Sequence, residues 1–366
     1  MSQVRGQFVV IQYLRGIAAL LIVWLHATDM TAVASKNFMS FGHFGVDIFF
    51  VISGFIMWTT SAHQTRTPVG FWLQRIVRVV PLYWTFIFLF IAGLLAVPEA
   101  VFNNRTIDPL YVLKSLFFVP AIDPLIGAII PIYAPGWTLN YEMFFYFVFG
   151  LSLLVPNLKL RAAAVIIGFA ALVSIGYLAD FQNVVLATYT HPVLLEFVAG
   201  LCLACNIKRF ERAPLSIAAL FSAAAVGLFA IGEMVSPAAC SFYSGAGATL
   251  LVAAGLVVER IARGRVSGVA KFIGDASYSI YLAHPFAQRA FYLVAGQVVG
   301  TAVILDWYRT YIVGALIVGT IGGCLSYILI ERPLLRLSRR RRSEIDRRGP
   351  AASALENAPI QANSQP

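Results

Sequence analysis

Apolar stretches of about 20 residues, the length a helix needs to cross a bilayer, recur along nearly the whole of this chain and constrain its fold more than any other feature. They run approximately over 11–28, 43–62, 79–97, 136–155, 161–178, 189–206, 214–234, 241–259, 271–295 and 309–331. Each is near the length of a tilted spanning helix, so the expected fold is all-α, a polytopic transmembrane bundle of about ten helices. Composition agrees. With 59% hydrophobic and 12% charged residues and a mean hydropathy of +0.79, the chain is too apolar for water to be its main solvent. No room is left for a large soluble domain. The expected division is a membrane-embedded domain over 1–335 and a basic cytoplasmic tail over 336–366, polar and disordered from Ser343 onward.

The first apolar stretch does not read as a secretory signal. Arg15 lies inside it, no small-x-small cleavage site follows His26, and a second apolar stretch starts at Phe44. Cys202 and Cys205 form a C-x-x-C inside a predicted membrane helix, without a thioredoxin-like context, and are read with Cys240 and Cys324 as packing residues. Lys and Arg collect in alternate connections: Arg66, Arg75 and Arg78; Lys159 and Arg161; Lys208, Arg209 and Arg212; Arg260, Arg263, Arg265 and Lys271. By the positive-inside rule these loops, Arg5 and the run Arg339–Arg342 are cytoplasmic, and so are both termini. Orientation therefore accounts for the net charge of +10, and no nucleic-acid partner is expected, since the charges are spread out and no recognition motif is present. Membrane lipids are expected partners, with Arg339–Arg342 near anionic headgroups. One outer connection, from about Pro98 to Pro135, is long, and its apolar piece Leu110 to Val119 suits either an interfacial helix over a site or a plain packed loop.

Ionisable side chains inside a bilayer are costly and are functional candidates by default. Arg15 and His26 are eleven residues apart in the first helix, about three turns and 16 Å along one face. With the N-terminus inside, Arg15 sits toward the cytoplasm and His26 toward the outside. The stretch Gly45 to Phe55 adds Asp47 near the outer end, with Ser53 and Gly54 deeper, where small residues permit close helix approach. Arg75 and Arg78 are neighbours on one helical face. A phosphate-rich ligand such as coenzyme A suits them, because guanidinium groups bind phosphate in a bidentate manner; positive-inside topology accounts for them equally well. Glu142, in the stretch from Trp137, is expected about 9 Å below the outer surface, at the depth of His26, where a carboxylate would fix the tautomer of an imidazole and raise its basicity. Glu196 is a second candidate for that role. Ser277, Tyr281 and His284 recur at spacings of four and three and share a face, followed by Pro285, which opens the backbone locally. The expectation is two clusters: Arg15, Arg75 and Arg78 near the cytoplasm, and His26, Glu142, Asp47 and His284 toward the outside, matching an anionic donor below and proton transfer above.

At these residues the chain resembles membrane-bound acyltransferase family 3, which includes O-antigen acetylases and ExoZ-like exopolysaccharide acetylases. The matching pieces are Arg15-x10-His26 within Tyr13-Leu14-Arg15-Gly16, the Gly45 to Phe55 stretch, Phe71 to Trp84 with Arg75, Arg78, Pro81 and Tyr83, Trp137 to Tyr146 with Glu142, Ser277 to His284, and Glu331-Arg332-Pro333. They run in order across most of the chain. The resemblance implies an acyl-CoA donor, acetyl-CoA by family habit, and an acceptor hydroxyl on an extracytoplasmic or lipid-linked saccharide. It implies a bacterial inner-membrane location, no permanently bound cofactor, and a need for Arg15 and His26. The chain departs from relatives at Asn140-Tyr141, where smaller residues are common, and is read as lacking the soluble hydrolase-like domain that some relatives carry. The expected mechanism has His26, helped by Glu142, as general base on the acceptor hydroxyl, with an acyl-histidine intermediate as the other route. Arg15, Arg75 and Arg78 would hold the donor, and Asp47, Ser53, Trp137, Tyr281 and His284 complete the expected binding set. The rival classes are a polysaccharide or lipid transporter, disfavoured by the want of two related halves with matching interrupted helices, and a scaffolding subunit of an export complex. Neither rival consumes acetyl-CoA.

Overall fold

Inside a bilayer every backbone N–H and C=O has to be paired within the protein, which leaves helix bundles and closed barrels as the spanning structures. The computed structural model of the chain describes residues 8–29, 41–61, 67–96, 107–235, 237–262 and 267–338. Arg5, Arg66, Arg263, Arg265, the run Arg339–Arg342 and the tail beyond it lie outside the described residues. Among the described residues the chain is helical without a strand, and one isolated bridge joins Ile122 to Ile129.

The long helices are α1 (Val9–Asp29), α2 (Phe44–Ser61) and α3 (Pro68–Ala96), followed by a short α4 (Pro109–Leu116), then α5 (Trp137–Ser152) and α6 (Leu158–Ala179). A short α7 (Val184–Tyr189) leads into α8 (Leu194–Cys205), and a short α9 (Ile207–Arg212) into α10 (Leu215–Met234) and α11 (Pro237–Ala262). The chain closes with α12 (Gly268–Val299), a short α13 (Thr301–Asp306) and α14 (Tyr308–Ser326), which runs on through a π turn, Tyr327–Glu331. Each expected segment finds its helix. The largest boundary difference is in α3, which begins at Pro68 rather than near residue 79. Thr67 accepts the Gly70 N–H at 3.2 Å and Pro68 takes the first helical position, a start signal that outweighs the polar composition after it. Arg75 and Arg78 consequently lie within the helix rather than at its mouth.

Eight helical stretches are long and apolar enough to cross a membrane. The two remaining long elements, α5 and α12, fall outside that set for different reasons: α5 has 16 residues, and α12 is long but carries a polar stripe. Burial separates centre from rim. In α2, 78% of the apolar window is buried, against 11% in α6 and 17% in α10, so α2 is the axis of the bundle and α6 and α10 face lipid. The axis is tight because glycines meet backbone there. A Cβ on Gly54 would come within 1.9 Å of the Phe197 carbonyl, and one on Gly200 within 1.9 Å of the Val51 carbonyl, so α2 and α8 cross in the small-residue manner of membrane helices. The start of α1 is capped in trans: Glu259 of α11 accepts the Val9 and Val10 N–H groups, each at 2.9 Å, supplying the anion that a helix N-terminus favours.

The described part of the long connection is both of the things expected of it. Asp108 caps α4 with Pro109 behind it, and Leu110, Leu113 and Phe117 are exposed, as on an interfacial helix. Beneath them Tyr111 bridges Asp123 and the Ile130 carbonyl, and Ser115 accepts the Ile132 N–H at 2.9 Å. Tyr133 then donates to the Leu282 carbonyl of α12, which fixes the loop over the bundle.

Candidate functional site

The α2–α8 crossing leaves space on the other side of α2, where α1, α3, α5 and α12 converge. The cavity between them has an empty volume of about 790 Å³, its open mouth included, within the range of small-molecule sites, and it is lined by Arg15, Ser53, Arg75, Arg78, Glu142 and Tyr281 among other residues. Six of the residues singled out from sequence therefore share one space. Arg15 and Arg75 are 9% and 7% exposed, unusual burial for two cations. The Arg75 guanidinium lies 5.4 Å from the centre of the Phe71 ring and 5.8 Å from that of Tyr146, aromatic faces that attract a cation. Arg15 lies in the fields of Arg78, Glu331, Asp275 and Glu142, with its Nη1 3.4 Å from Gln12 Oε1. Glu331 is in turn held by the Ser279 hydroxyl at 2.6 Å, on the π turn between α14 and its helical continuation to Ser338, an irregularity common at functional sites.

Glu142 is not beside His26. Its Oε1 accepts from Ser53 Oγ at 3.0 Å and from the Tyr146 hydroxyl, so the expected His26–Glu142 pair is corrected: the carboxylate belongs to the arginine cavity. Depth along separate helices placed the two residues level, but azimuth around α5 turns Glu142 toward α2 and α3. Asp47 is also elsewhere. It is 7% exposed and outside the cavity lining, with Glu196 of α8 and Ser244 of α11 among its polar neighbours. Glu196 is likewise absent from the cavity lining. Trp137 does not line the cavity; it packs edge-on against Tyr141 at 6.0 Å.

The histidines do meet. The rings of His26 and His284 stack with centroids 5.1 Å apart and planes 25° from parallel. His284 is fully buried, its Nδ1 3.0 Å from the Ile280 carbonyl, which makes Nδ1 the protonated nitrogen and leaves Nε2 as an acceptor with no hydrogen-bond partner among the described residues. The His26 side chain is 43% exposed, and its Nδ1 lies 3.6 Å from Asp29 Oδ2. That contact exceeds a hydrogen bond but is close enough to orient the ring. Tyr281 joins the two regions: it lines the arginine cavity, bonds Thr138 at 2.8 Å and the Pro135 carbonyl at 2.5 Å, and its ring centre is 6.4 Å from that of His284.

Sequence reasoning passed over Tyr146, Tyr278, Thr138 and Asp29. Helical spacing could have found most of them. Tyr146 and Thr138 are four residues either side of Glu142, and Asp29 is three beyond His26, so each shares a face with a residue already chosen. Tyr278, which lines the cavity and donates to the Val79 carbonyl at 2.9 Å, interrupts the Ser277–Tyr281–His284 stripe and has no such signal.

The family described as an acyltransferase domain matches this chain over residues 8–330. The chain is 39% identical over 328 residues to the exopolysaccharide production protein ExoZ of Rhizobium meliloti (strain 1021), covering 89% of this chain and 99% of that protein. It is 28% identical over 371 residues to the acyltransferase MdmB of Streptomyces mycarofaciens, covering 90% and 92% of the two. No solved structure matches the chain.

Proposed function

We propose, from the premise that this chain belongs to membrane-bound acyltransferase family 3, that it moves an acetyl group from cytoplasmic acetyl-CoA to a hydroxyl of an exopolysaccharide or of its lipid-linked precursor. The chain is a multi-pass membrane O-acyltransferase; donor, acceptor and sidedness are the proposed parts. The acceptor class follows the name of the exopolysaccharide production protein, and the side from which the donor arrives follows the basic loops. The observation that carries the reading is the joined pair of regions: an arginine-lined cavity that leads, through Tyr281, to a stacked histidine pair.

Arg15, Arg75 and Arg78 hold the phosphates of the donor, and the pantetheine arm runs into the cavity between Ser53, Glu142 and Tyr146, with its thioester toward Tyr281. His26, oriented through Nδ1 by Asp29, takes the proton of the acceptor hydroxyl on Nε2 as that oxygen attacks the thioester carbonyl. The tetrahedral intermediate collapses, the C–S bond breaks, and the coenzyme A thiolate recovers the proton from His26. No cofactor is required beyond the donor. Because Glu142 lies with the arginines, its role in this scheme is to order Ser53 and Tyr146 around the donor, and Asp29 replaces it as the partner of the base. The test supplies labelled acetyl-CoA to inverted vesicles that hold the host's lipid-linked saccharides. Label is expected on saccharide as an ester with the wild type and not with His26→Ala; its absence from a folded wild type would overturn the proposed donor.

A further inference from the structure

Helices α1 and α12, which carry His26 and His284, meet differently along their length. Toward the cytoplasm the contact is backbone on backbone: a Cβ on Gly274 of α12 would come within 2.1 Å of the Gln12 carbonyl, and one on Gly16 of α1 within 3.4 Å of the Gly274 nitrogen. Further along, Ala19, Val23, Ala276 and Ile280 form one buried apolar cluster. Apolar contact is not directional, so by itself it does not fix how far α1 is rotated or displaced against α12. Two stacked rings need both to be fixed.

One polar side chain supplies the direction. Gln288 of α12 is fully buried; its Nε2 donates to the Val23 carbonyl of α1 at 2.8 Å and lies 3.5 Å from the Ala315 carbonyl of α14. Gln288 is four residues beyond His284 and Val23 three before His26, so the bond lies within about one helical turn of each ring. Gly319 of α14 makes room for it, since a Cβ there would come within 3.2 Å of the Gln288 Cγ and 2.9 Å of the Val23 Cγ1. The amide is a poor source of stability. Its Oε1 has no hydrogen-bond partner among the described residues, and a buried acceptor left unpaired offsets what the donor gains. Gln288 is also absent from the lining of the arginine cavity. A polar side chain held inside a bilayer is a functional candidate by default, and what this one supplies is position.

We propose that Gln288 is a positioning residue for the histidine pair: its bond to the Val23 carbonyl sets the rotation and height of the last turns of α1, and so keeps the His26 ring stacked on His284 with its Nε2 aimed at the acceptor hydroxyl. The effect on turnover rests on the acyl-transfer reading above; the effect on the ring pair does not. A base that drifts by about 1 Å from its reacting proton loses up to about 10²-fold in rate, while the donor cavity, which Gln288 does not line, keeps its shape.

The test is Gln288→Met in the purified full chain, a change that keeps the length and bulk of the side chain and removes the amide. The kcat for acetyl transfer should fall about tenfold with the KM for acetyl-CoA within about twofold of wild type, the signature of a displaced base beside an intact donor site. A second readout needs no donor. Diethyl pyrocarbonate modifies accessible imidazoles, and the His26 side chain is 43% exposed while His284 is buried. Without the amide the stack opens more often, so His26 should be modified about two- to fivefold faster, scored by peptide mass spectrometry against the exposed His191. Should Gln288→Met not fold, Gly319→Ala keeps the amide but presses a methyl on its stem and on Val23, and should move both readouts in the same sense. With an active wild type, either readout unchanged in the variant overturns the proposal, and so does a KM that rises as kcat falls, which marks general loosening of the bundle. With a wild type that transfers no acetyl, the acyl-transfer reading fails and the modification rate alone decides the positioning role.

Discussion

The arginine cavity and the histidine pair are built in opposite ways. The cavity draws charged and hydroxyl side chains from α1, α2, α3, α5 and α12 into one hydrogen-bonded space: Ser53 and Tyr146 hold Glu142, Ser279 holds Glu331, and the arginines lie among aromatic rings. The histidine pair draws on two helices and is sparsely bonded. His26 has a loose contact to Asp29 and a stacked neighbour, and His284 keeps one nitrogen without a hydrogen-bond partner among the described residues. A binding region gains from being fully satisfied, because its polar groups then stay where the ligand needs them. A group that takes and returns a proton needs a free lone pair at the reacting atom. The difference teaches that the two regions are held differently, one by a network of side-chain hydrogen bonds and the other by ring stacking and a single backbone contact.

The largest effect that would break the comparison is at His26. His26→Ala should lower acyl transfer by about 10²–10⁴-fold, the usual contribution of a general base, while binding of acyl-CoA, read by equilibrium dialysis on the purified protein, stays within about twofold. Loss of donor binding instead would mean that the histidines belong to the cavity. Next comes Arg75→Ala, which should weaken acyl-CoA binding about 10- to 100-fold, the worth of a charge-assisted contact to phosphate, and leave single-turnover transfer at saturating donor close to wild type. A smaller effect is expected from Asp29→Asn: about a tenfold fall in turnover with donor affinity unchanged, since the ring is still present but is no longer steered by an anion. The smallest is Tyr146→Phe. Glu142 keeps Ser53, so a shift of about two- to fivefold in the KM for the donor, with little change in kcat, is expected; a fall in kcat alone would move Glu142 back to the chemistry.

How legible these regions were differs for a physical reason. The residue types of the cavity stood out because charge in an apolar stretch is expensive, and Arg15, Arg75, Arg78 and Glu142 were visible on that ground alone. Their grouping was only half legible. Rise along a helix can be counted from sequence, which put Arg15 and Arg75 at one level and His26 and Glu142 at another, but direction around the axis depends on which helix lies opposite. For that reason Glu142 was matched to His26 by depth and belongs to the arginines by azimuth, and Asp47 was matched to the histidines and lies outside the cavity lining, near Glu196 and Ser244. Helix α3 was shortened at its start for a related reason: the Thr67-Pro68 signal is local and was readable, but the polar residues after it resemble a loop until a cavity is there to receive them.

The sequence by itself determined that this protein is a helical membrane bundle, because twenty-residue apolar runs in lipid have no other way to pair their backbone, and it determined which few side chains could be worth their burial. The tertiary structure decided which of those side chains meet. That choice rests on the crossing of α2 over α8 at Gly54 and Gly200, where backbone packs on backbone with no side chain between, and a contact between elements 143 residues apart, such as Thr138 with Tyr281, has no trace in local periodicity.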